Sequence, residues 1–337
     1  MDSVAIVVLN WNGIGDTVNC ITSLSKQTYK YFTIILVDNG STEQGTAAKL
    51  DELKKKYTDK LHIIRNPKND GFAGGVNIGI RYALENKFTY VALFNNDATA
   101  ASSWLSELVD ASRCNQSAIT TGLLLHADGK TIDSTGDWYS IWGLPFPRDR
   151  NMLPSSASEP GYVFGATGGA SLYECGLFKH IGLFDESFFA YYEDVDVCFR
   201  AQLVGKKVYY TDKAIAYHKQ GATSSKLSGF STYQTFKNLP LLFWKNVPTK
   251  FIFFIGIRFF IAYYLMLIKA LLSKNALSAL RGWVNAALLT PAALHKRITI
   301  QGQLSTSKDY IKKILWNDLP PDQTGLRKLR SYFVGTK

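Results

Sequence analysis

Acidic residues nearly vanish from the last third of the chain. Residues 226–337 carry 17 lysines and arginines against only Asp309, Asp318 and Asp322, a net charge of +14. Residues 1–225 carry 21 basic and 24 acidic side chains, a net of −3. The formal +11 therefore sits at one end, which is expected to seek an anionic surface. Cysteine is also sparse. Cys20, Cys114, Cys175 and Cys198 stand far apart, with no CxxC pair. That argues against a disulfide framework and a zinc site, and it fits a reducing compartment. No basic leader precedes the first apolar run, so no secretory signal is expected. The dinucleotide spacing G-x-G-x-x-G is missing too, which argues against a Rossmann dehydrogenase.

What is present is an alternation of short apolar runs and helical patterns. Val4–Leu9, Thr33–Val37, Leu61–Arg65 and Tyr90–Phe94 read as buried strands. Asp16–Lys26, Leu50–Tyr57 and Gly79–Glu85 read as the helices between them. Such βαβ repetition predicts an α/β fold with a mostly parallel sheet. Each strand runs into polar turn chemistry: Asn10-Trp-Asn-Gly13, Asp38-Asn-Gly-Ser41, Asn66 to Gly75, and Asn95-Asn-Asp97. Loops after the carboxyl ends of parallel strands line one crevice, so four of them describe a nucleotide site. The first two serve equally well as plain turns. The glycines between Asn69 and Gly79 allow close backbone approach to a ligand ahead of a helix N-terminus. Asn95-Asn-Asp97 offers hard oxygens of the kind Mg2+ or Mn2+ prefers, or ordinary turn chemistry.

Chemistry concentrates between Gly182 and Arg200. Val195, Cys198, Phe199 and Leu203 mark one apolar helical face, Asp196 and Arg200 are spaced to pair, and Gly205 ends the helix. Glu193 and Asp194 fall in the first turn, behind Phe184, Phe188, Phe189, Tyr191 and Tyr192. An ionised carboxylate beside an aromatic wall suits a general base; a capped helix with a solvated acidic start has the same sequence.

The ordered set Asn10-Trp-Asn12, Val37-Asp-Asn-Gly-Ser41, Gly71 to Gly79, Phe94-Asn-Asn-Asp97 and Phe184-Asp-Glu with Tyr191-Tyr-Glu-Asp-Val-Asp196 resembles the family 2 glycosyltransferases. Within them it is most similar to the rhamnosyltransferase-like and galactofuranosyltransferase-like branch, over residues 1–225. The resemblance implies a GT-A fold, with a Rossmann-like nucleotide half over 1–100 and an acceptor half over 101–225. It also implies a nucleotide-diphosphate sugar donor, a divalent cation (Mg2+ or Mn2+) and inversion at the anomeric carbon. By the same resemblance Asn10, Asn12, Asp38, Asn69, Gly71, Gly74, Gly75, Asn77, Asn95 and Asn96 face the donor, with Asp38 at the nucleobase. Asp97 and His218 hold the cation, Asp194 is the base with Glu193 orienting it, and Gly168, Gly169, Trp138 and Tyr192 meet sugar and acceptor. Asn95-Asn-Asp97 departs from the family's Asp-x-Asp and leaves Asp97 as its acidic member. The branch implies dTDP-rhamnose as donor and a polysaccharide or polyprenyl-linked glycan as acceptor, in cell-envelope synthesis; other hexosyl donors on UDP are the alternative. Two rivals share such a sheet. A nucleotidyltransferase places basic residues in its first loop, where Asn10–Asp16 has none. A non-catalytic sugar-nucleotide-binding protein would use the same cleft without turnover.

Two segments stand outside these motifs. His126–Ser158 reads as a loop-rich insertion whose Trp138, Tyr139 and Trp142 either stack on sugar rings or pack over the core. In the basic tail, Phe251–Leu272 is 22 residues long and apolar but interrupted by Arg258 and Lys269; a milder segment, Ala276–Leu294, follows. Flanking Lys237, Lys245, Lys250, Lys274, Lys296 and Arg297, with Trp244, Tyr263, Tyr264 and Trp283, suit helices lying on the cytoplasmic face of a membrane. A helical homo-oligomer interface is the other reading, and apolar runs of this length argue against nucleic acid. The tail reads as separable, with a catalytic domain ending at Ser225.

Overall fold

The computed structural model describes residues 2–221 and 227–328. Twelve strands are β1 (Val4–Asn10), β2 (Phe32–Asn39), β3 (Leu61–Asn66), β4 (Tyr90–Asn95), β5 (Ala98–Ala100), β6 (Ile119–His126), β7 (Ile132–Ser134), β8 (Asp137–Tyr139), β9 (Pro145–Pro147), β10 (Gly161–Val163), β11 (Ala170–Glu174) and β12 (Val208–His218). The helices are α1 (Ile14–Leu24), α2 (Thr46–Lys56), α3 (Gly71–Glu85), α4 (Trp104–Asn115), α5 (Cys175–Ile181), α6 (Glu193–Leu203), α7 (Phe230–Asn246), α8 (Thr249–Leu271), α9 (Ala276–Gly302) and α10 (Lys308–Ile314). The main sheet runs β10-β12-β6-β11-β4-β1-β2-β3, with β5 on β12 and β7 on β6.

The first half of the sheet is parallel: β1 pairs with β2 and β4, and β2 with β3, all in the same direction. These strands are continuous β-branched and aliphatic runs because helices cover both faces. The second half is mixed, since β11 runs antiparallel between β4 and β6. It is short and follows a loop rather than a crossover helix, so its direction has no counterpart in the βαβ pattern.

Two local differences have clear physical causes. The glycine-rich stretch after β3 is not a loop: Gly71 already begins α3. Gly75 and Gly79 lie against Leu9 and Val7 of β1, and a Cβ on either would collide with them. Those glycines bring helix and sheet together, which is why they read as ligand-cradling in sequence. The His126–Ser158 insertion holds β7 and the β8–β9 hairpin; Trp138 and Phe146 pack around Trp316, with ring centroids 5.8 Å apart in each case.

The tail is not an appendage. Phe188, Val195, Phe199 and Leu203 around α6 share one apolar core with Leu239, Leu242 and Phe243 of α7 and Ile255, Phe259 and Tyr263 of α8. Ser225 itself lies outside the described residues, but cutting there removes most of this core. The predicted Asp196–Arg200 pair forms at 2.9 Å, yet it is buried rather than solvated. Lys245 of α7 bridges Asp196 and Asp185 at 2.8 and 2.7 Å, and Lys296 of α9 reaches Asp185 at 2.6 Å. Arg297 caps the carbonyls of Trp244 and Val247. Lys245 is therefore buried in the fold, and Lys296 and Arg297, partly exposed, are tied to its carboxylate and carbonyls, where sequence alone reads all three as free flanks.

Candidate active site

A cleft of about 780 Å³ opens at the carboxyl ends of β1, β2 and β4 and runs across to the N-terminus of α6. Eleven of the residues singled out from sequence line it: Asn69, Gly71, Asn95, Asn96, Asp97, Gly168, Gly169, Tyr192, Glu193, Asp194 and His218. Seven do not. Strand alternation explains two of them: Asn10, the last residue of β1, and Asp38, the last but one of β2, point into the fold, while their neighbours Trp11 and Asn39 reach the cleft. Asn10 Nδ2 donates to Asp38 Oδ1 (2.8 Å), and Ser41 Oγ donates to the same oxygen (2.6 Å), so Asp38 shapes the rim. Asn12 Oδ1 accepts the amides of Thr42 and Glu43 and pins the next loop. Gly74 and Gly75 lie inside α3, and a Cβ on Gly74 would meet Asp70 Cβ at 2.7 Å. Asn77 is buried and bonds both the carbonyl and the amide of Phe184, tying α3 to the segment before α6. Trp138 packs on Trp316.

At one end of the cleft β12 pairs with β5 so that His218 faces Ala98, bringing its ring beside Asp97. His218 Nε2 lies 3.0 Å from Asp97 Oδ1, and Nδ1 lies 2.7 Å from Asp133 Oδ2. Burial disfavours the charged imidazole, but the bonds to Asp133 and Asp97 outweigh it and raise its pKa to about 9. Asp133 in turn takes the guanidinium of Arg150 at 2.7 Å, and Arg150 lines the cleft. Among the described residues no cluster of three or more Asp, Glu, His or Cys forms a closed ion cage. Mg2+ or Mn2+ would have to displace the Nε2 proton; the donor set then fits, with one carboxylate (Asp97) and one imidazole nitrogen at the cleft and Asp133 fixing that imidazole from behind.

In the same cleft, the first turn of α6 presents Asp194. The amide of Gly168 donates to its Oδ2 at 2.9 Å and the amide of Val195 to its Oδ1 at 2.8 Å. Burial raises its pKa while these amides oppose the shift, leaving a carboxylate of increased basicity at the cleft surface. Glu193 is buried deeper, and its Oε2 has no hydrogen-bond partner among the described residues. Burial first, then Asp194, push its pKa well up. Cys198 Sγ accepts from the amide of Ala166 (3.2 Å) and braces the small-residue loop against α6.

Sequence reasoning missed Asp137, Asp133, Arg150, Trp11 and Asn39. Asp137 lines the cleft, and burial followed by repulsion from Asp194 lifts its carboxyl to about 8, so it is a hydrogen-bond donor at neutral pH. Trp11 and Asn39 follow from strand alternation. The other three sit in or beside three-residue strands, too short to show a period.

Comparison with known proteins agrees with this geometry. The hexosyltransferase Agl10 of low-salt glycan biosynthesis in Haloferax volcanii is 25% identical over 246 residues, 71% of this chain and 74% of its own. The dTDP-rhamnosyl transferase RfbF of Shigella flexneri is 24% identical over 251 residues, 71% of this chain and 79% of its own. The crystal structure of GalNAc-T7 with UDP, GalNAc and Mn2+ superposes with a TM-score of 0.58 at 20% identity. It covers 72% of this chain, which spans 47% of that longer protein. Residues 3–182 match the sequence profile described as glycosyl transferase family 2, a segment that runs from the start of the sheet through β11 and α5 and stops short of Glu193. That match takes in more than half of the chain, which therefore belongs to glycosyl transferase family 2 and has a GT-A-like α/β fold.

Proposed function

We propose that this protein is an inverting, cation-dependent hexosyltransferase whose donor is a nucleoside-diphosphate sugar, with dTDP-rhamnose first and UDP-hexoses next. Its acceptor would be a glycan on a lipid carrier or a growing polysaccharide. The observation that carries the reading is that Asp97, His218 and Asp194 line one cleft, with Gly168 bonded to Asp194 and its neighbour Gly169 bonded to Asn95 beside His218. In this reading an acceptor hydroxyl attacks the anomeric carbon, its proton passes to an Asp194 carboxylate oxygen, and the bond to the diphosphate breaks on the opposite side. Bound at Asp97 and His218, a divalent cation supplies charge neutralisation for the departing diphosphate. Arg150, paired with the Asp133 that holds His218, adds a fixed positive charge. Asp137, its carboxyl lifted to about 8, supplies a donor that orients sugar or acceptor hydroxyls without competing for the proton. Rhamnose is favoured by the likeness to RfbF, while the likeness to Agl10 fits hexosyl transfer in general.

Membrane attachment belongs to the same proposal. Phe253, Ile257, Ile261, Tyr264 and Ile268 of α8 and Leu277, Leu280, Val284 and Leu288 of α9 are exposed, beside the exposed Lys250, Lys269, Lys274 and Arg281. α8 is the one helix among the described residues long and apolar enough to cross a bilayer. Its opposite face, through Phe251, Ile255, Phe259, Ala262 and Tyr263, is packed on the protein core. A helix with one side on a polar-coated body favours lying in the membrane surface over spanning it. Free cysteines and basic exposure are consistent with the cytoplasmic face.

A thermal-shift panel of dTDP-rhamnose, UDP-glucose, UDP-galactose, UDP-N-acetylgalactosamine and GDP-mannose, each with Mn2+, tests the donor. A true donor at a hundred times its Kd stabilises by about 2.7 kcal/mol. Stabilisation by dTDP-rhamnose above the others supports the specific reading; no stabilisation by any of them contradicts the class.

A further inference from the structure

The segment that delivers Glu193 and Asp194 adopts a backbone that its residues avoid. Phe189, Tyr191 and Tyr192 have φ of 63°, 69° and 71°, in the left-handed region where aromatic side chains are rare. Such a conformation persists only where neighbours over-determine it. The neighbours come from two directions. On the donor side, the amide of Ala73 donates to the carbonyl of Phe189 at 3.0 Å, and Gly71, itself at φ 73°, leaves no room for a Cβ against that carbonyl. On the other side stands α7. Asn238 Nδ2 donates to the carbonyls of Phe188 (3.0 Å), Ala190 (2.8 Å) and Tyr191 (2.8 Å). Lys237 Nζ donates to those of Ser187 and Phe188, both at 3.1 Å. Every carbonyl from 187 to 191 thereby has a donor, and four of the five take theirs from two adjacent residues of α7.

Both side chains are buried, Asn238 fully and Lys237 at 4% exposure. Burying an amine and an amide costs free energy unless their bonds are made, and here those bonds go to this one loop. A helix serving only as a membrane anchor has no need of them.

We propose that Lys237 and Asn238 are positioning residues for sugar transfer: they clamp backbone 187–191 in the left-handed conformation that sets Asp194 on the cleft, so the C-terminal helices complete the active site. The transfer role rests on Asp194 being the base; the clamp itself does not. Asn238→Leu keeps the volume and removes the donors. Amide hydrogen exchange on the full chain should then accelerate about tenfold or more in peptides covering 185–196 and stay unchanged in β1, β2 and β4. Hydrolysis of the donor found in the panel should fall about 10- to 100-fold, with the Kd for UDP or dTDP and Mn2+ within about twofold of wild type. In an Asp194→Asn background, Asn238→Leu should change the residual rate by less than about twofold, since it acts through that residue. If Asn238→Leu fails to fold, Lys237→Met and Lys237→Arg decide: Met should reproduce the local exchange and the rate loss, and Arg should restore most of both.

Unchanged exchange in 185–196, or exchange raised evenly across the chain, overturns the clamp. Local acceleration with an undiminished rate overturns its role in transfer. Should Asp194→Asn alone keep the wild-type rate, the base is misassigned, and the exchange result still stands or falls by itself.

Discussion

His218 joins two carboxylates that lie far apart in sequence, and the pair does not act symmetrically. Asp97 faces the cleft with it, whereas Asp133 stands behind the ring, holding Nδ1 at 2.7 Å and leaving Nε2 aimed at the cleft. Partners of this second kind set the affinity of a histidine for a metal. Asp133→Asn should therefore weaken the Mn2+-dependent affinity for UDP or dTDP by about tenfold while leaving the metal-free affinity alone, as isothermal titration can read. An unchanged metal enhancement would return His218 to a structural role. Glu193 gives a second prediction. Its folded pKa is raised, so the stability it lends is complete below the unfolded carboxyl value and is lost as pH rises toward the folded value. Glu193→Gln cannot ionise. Its Tm relative to wild type should rise between about pH 5 and pH 8. A constant difference across that range would mean that Glu193 is ionised in the fold.

Among the elements, α3 and α7 show what a sequence displays and what it conceals. The parallel half of the sheet was legible because β1 to β4 are continuous apolar runs ending in Asn and Asp, and that pattern has few other solutions. The glycines of α3 were legible as close-approach residues, but what approaches Gly75 is Leu9 of β1. Gly75→Ala should therefore destabilise by about 1–3 kcal/mol through overpacking, with donor Kd little changed, in chemical denaturation and titration respectively. A loss of donor affinity without a loss of stability would restore the ligand reading. The clamp on α7 was invisible, because Lys237-Asn238 in an apolar helix carries no period or motif that ties it to Ser187–Tyr191 some fifty positions earlier. The same holds for Asp133, Asp137 and Arg150. Their position depends on β7, β8 and β9, each three residues long and fixed by tertiary pairing alone.

Across the whole molecule, charge and apolar surface divide differently from the simple tally of the tail. Part of the tail's positive charge holds α6 and Asp185 in place, and the remainder borders an apolar face on α8 and α9. Anionic liposomes should float the full chain at low salt and release part of it at high salt, since charge attraction is screened and apolar burial is not. Phe253→Asp combined with Ile257→Asp should abolish flotation and leave UDP–Mn2+ or dTDP–Mn2+ binding intact. Persistence of the full chain in the membrane through an alkaline carbonate wash would mean that α8 spans after all. Absence of flotation at low salt would make the face a contact between copies. Because α7 and α8 share the core of α6, truncation after Ser225 should yield an aggregating chain rather than the separable domain that composition suggests.

The central claim is that Asp194 takes the acceptor proton in the same cleft that holds the nucleotide diphosphate. It is tested most directly by comparing wild type and Asp194→Asn for two quantities in the same preparation: nucleotide-diphosphate binding with Mn2+, and release of that nucleotide from the donor sugar. The substitution keeps shape and removes basicity, so binding should stay within about twofold while turnover falls by about a hundredfold or more. Equal turnover in the two proteins, with binding intact, would contradict the account.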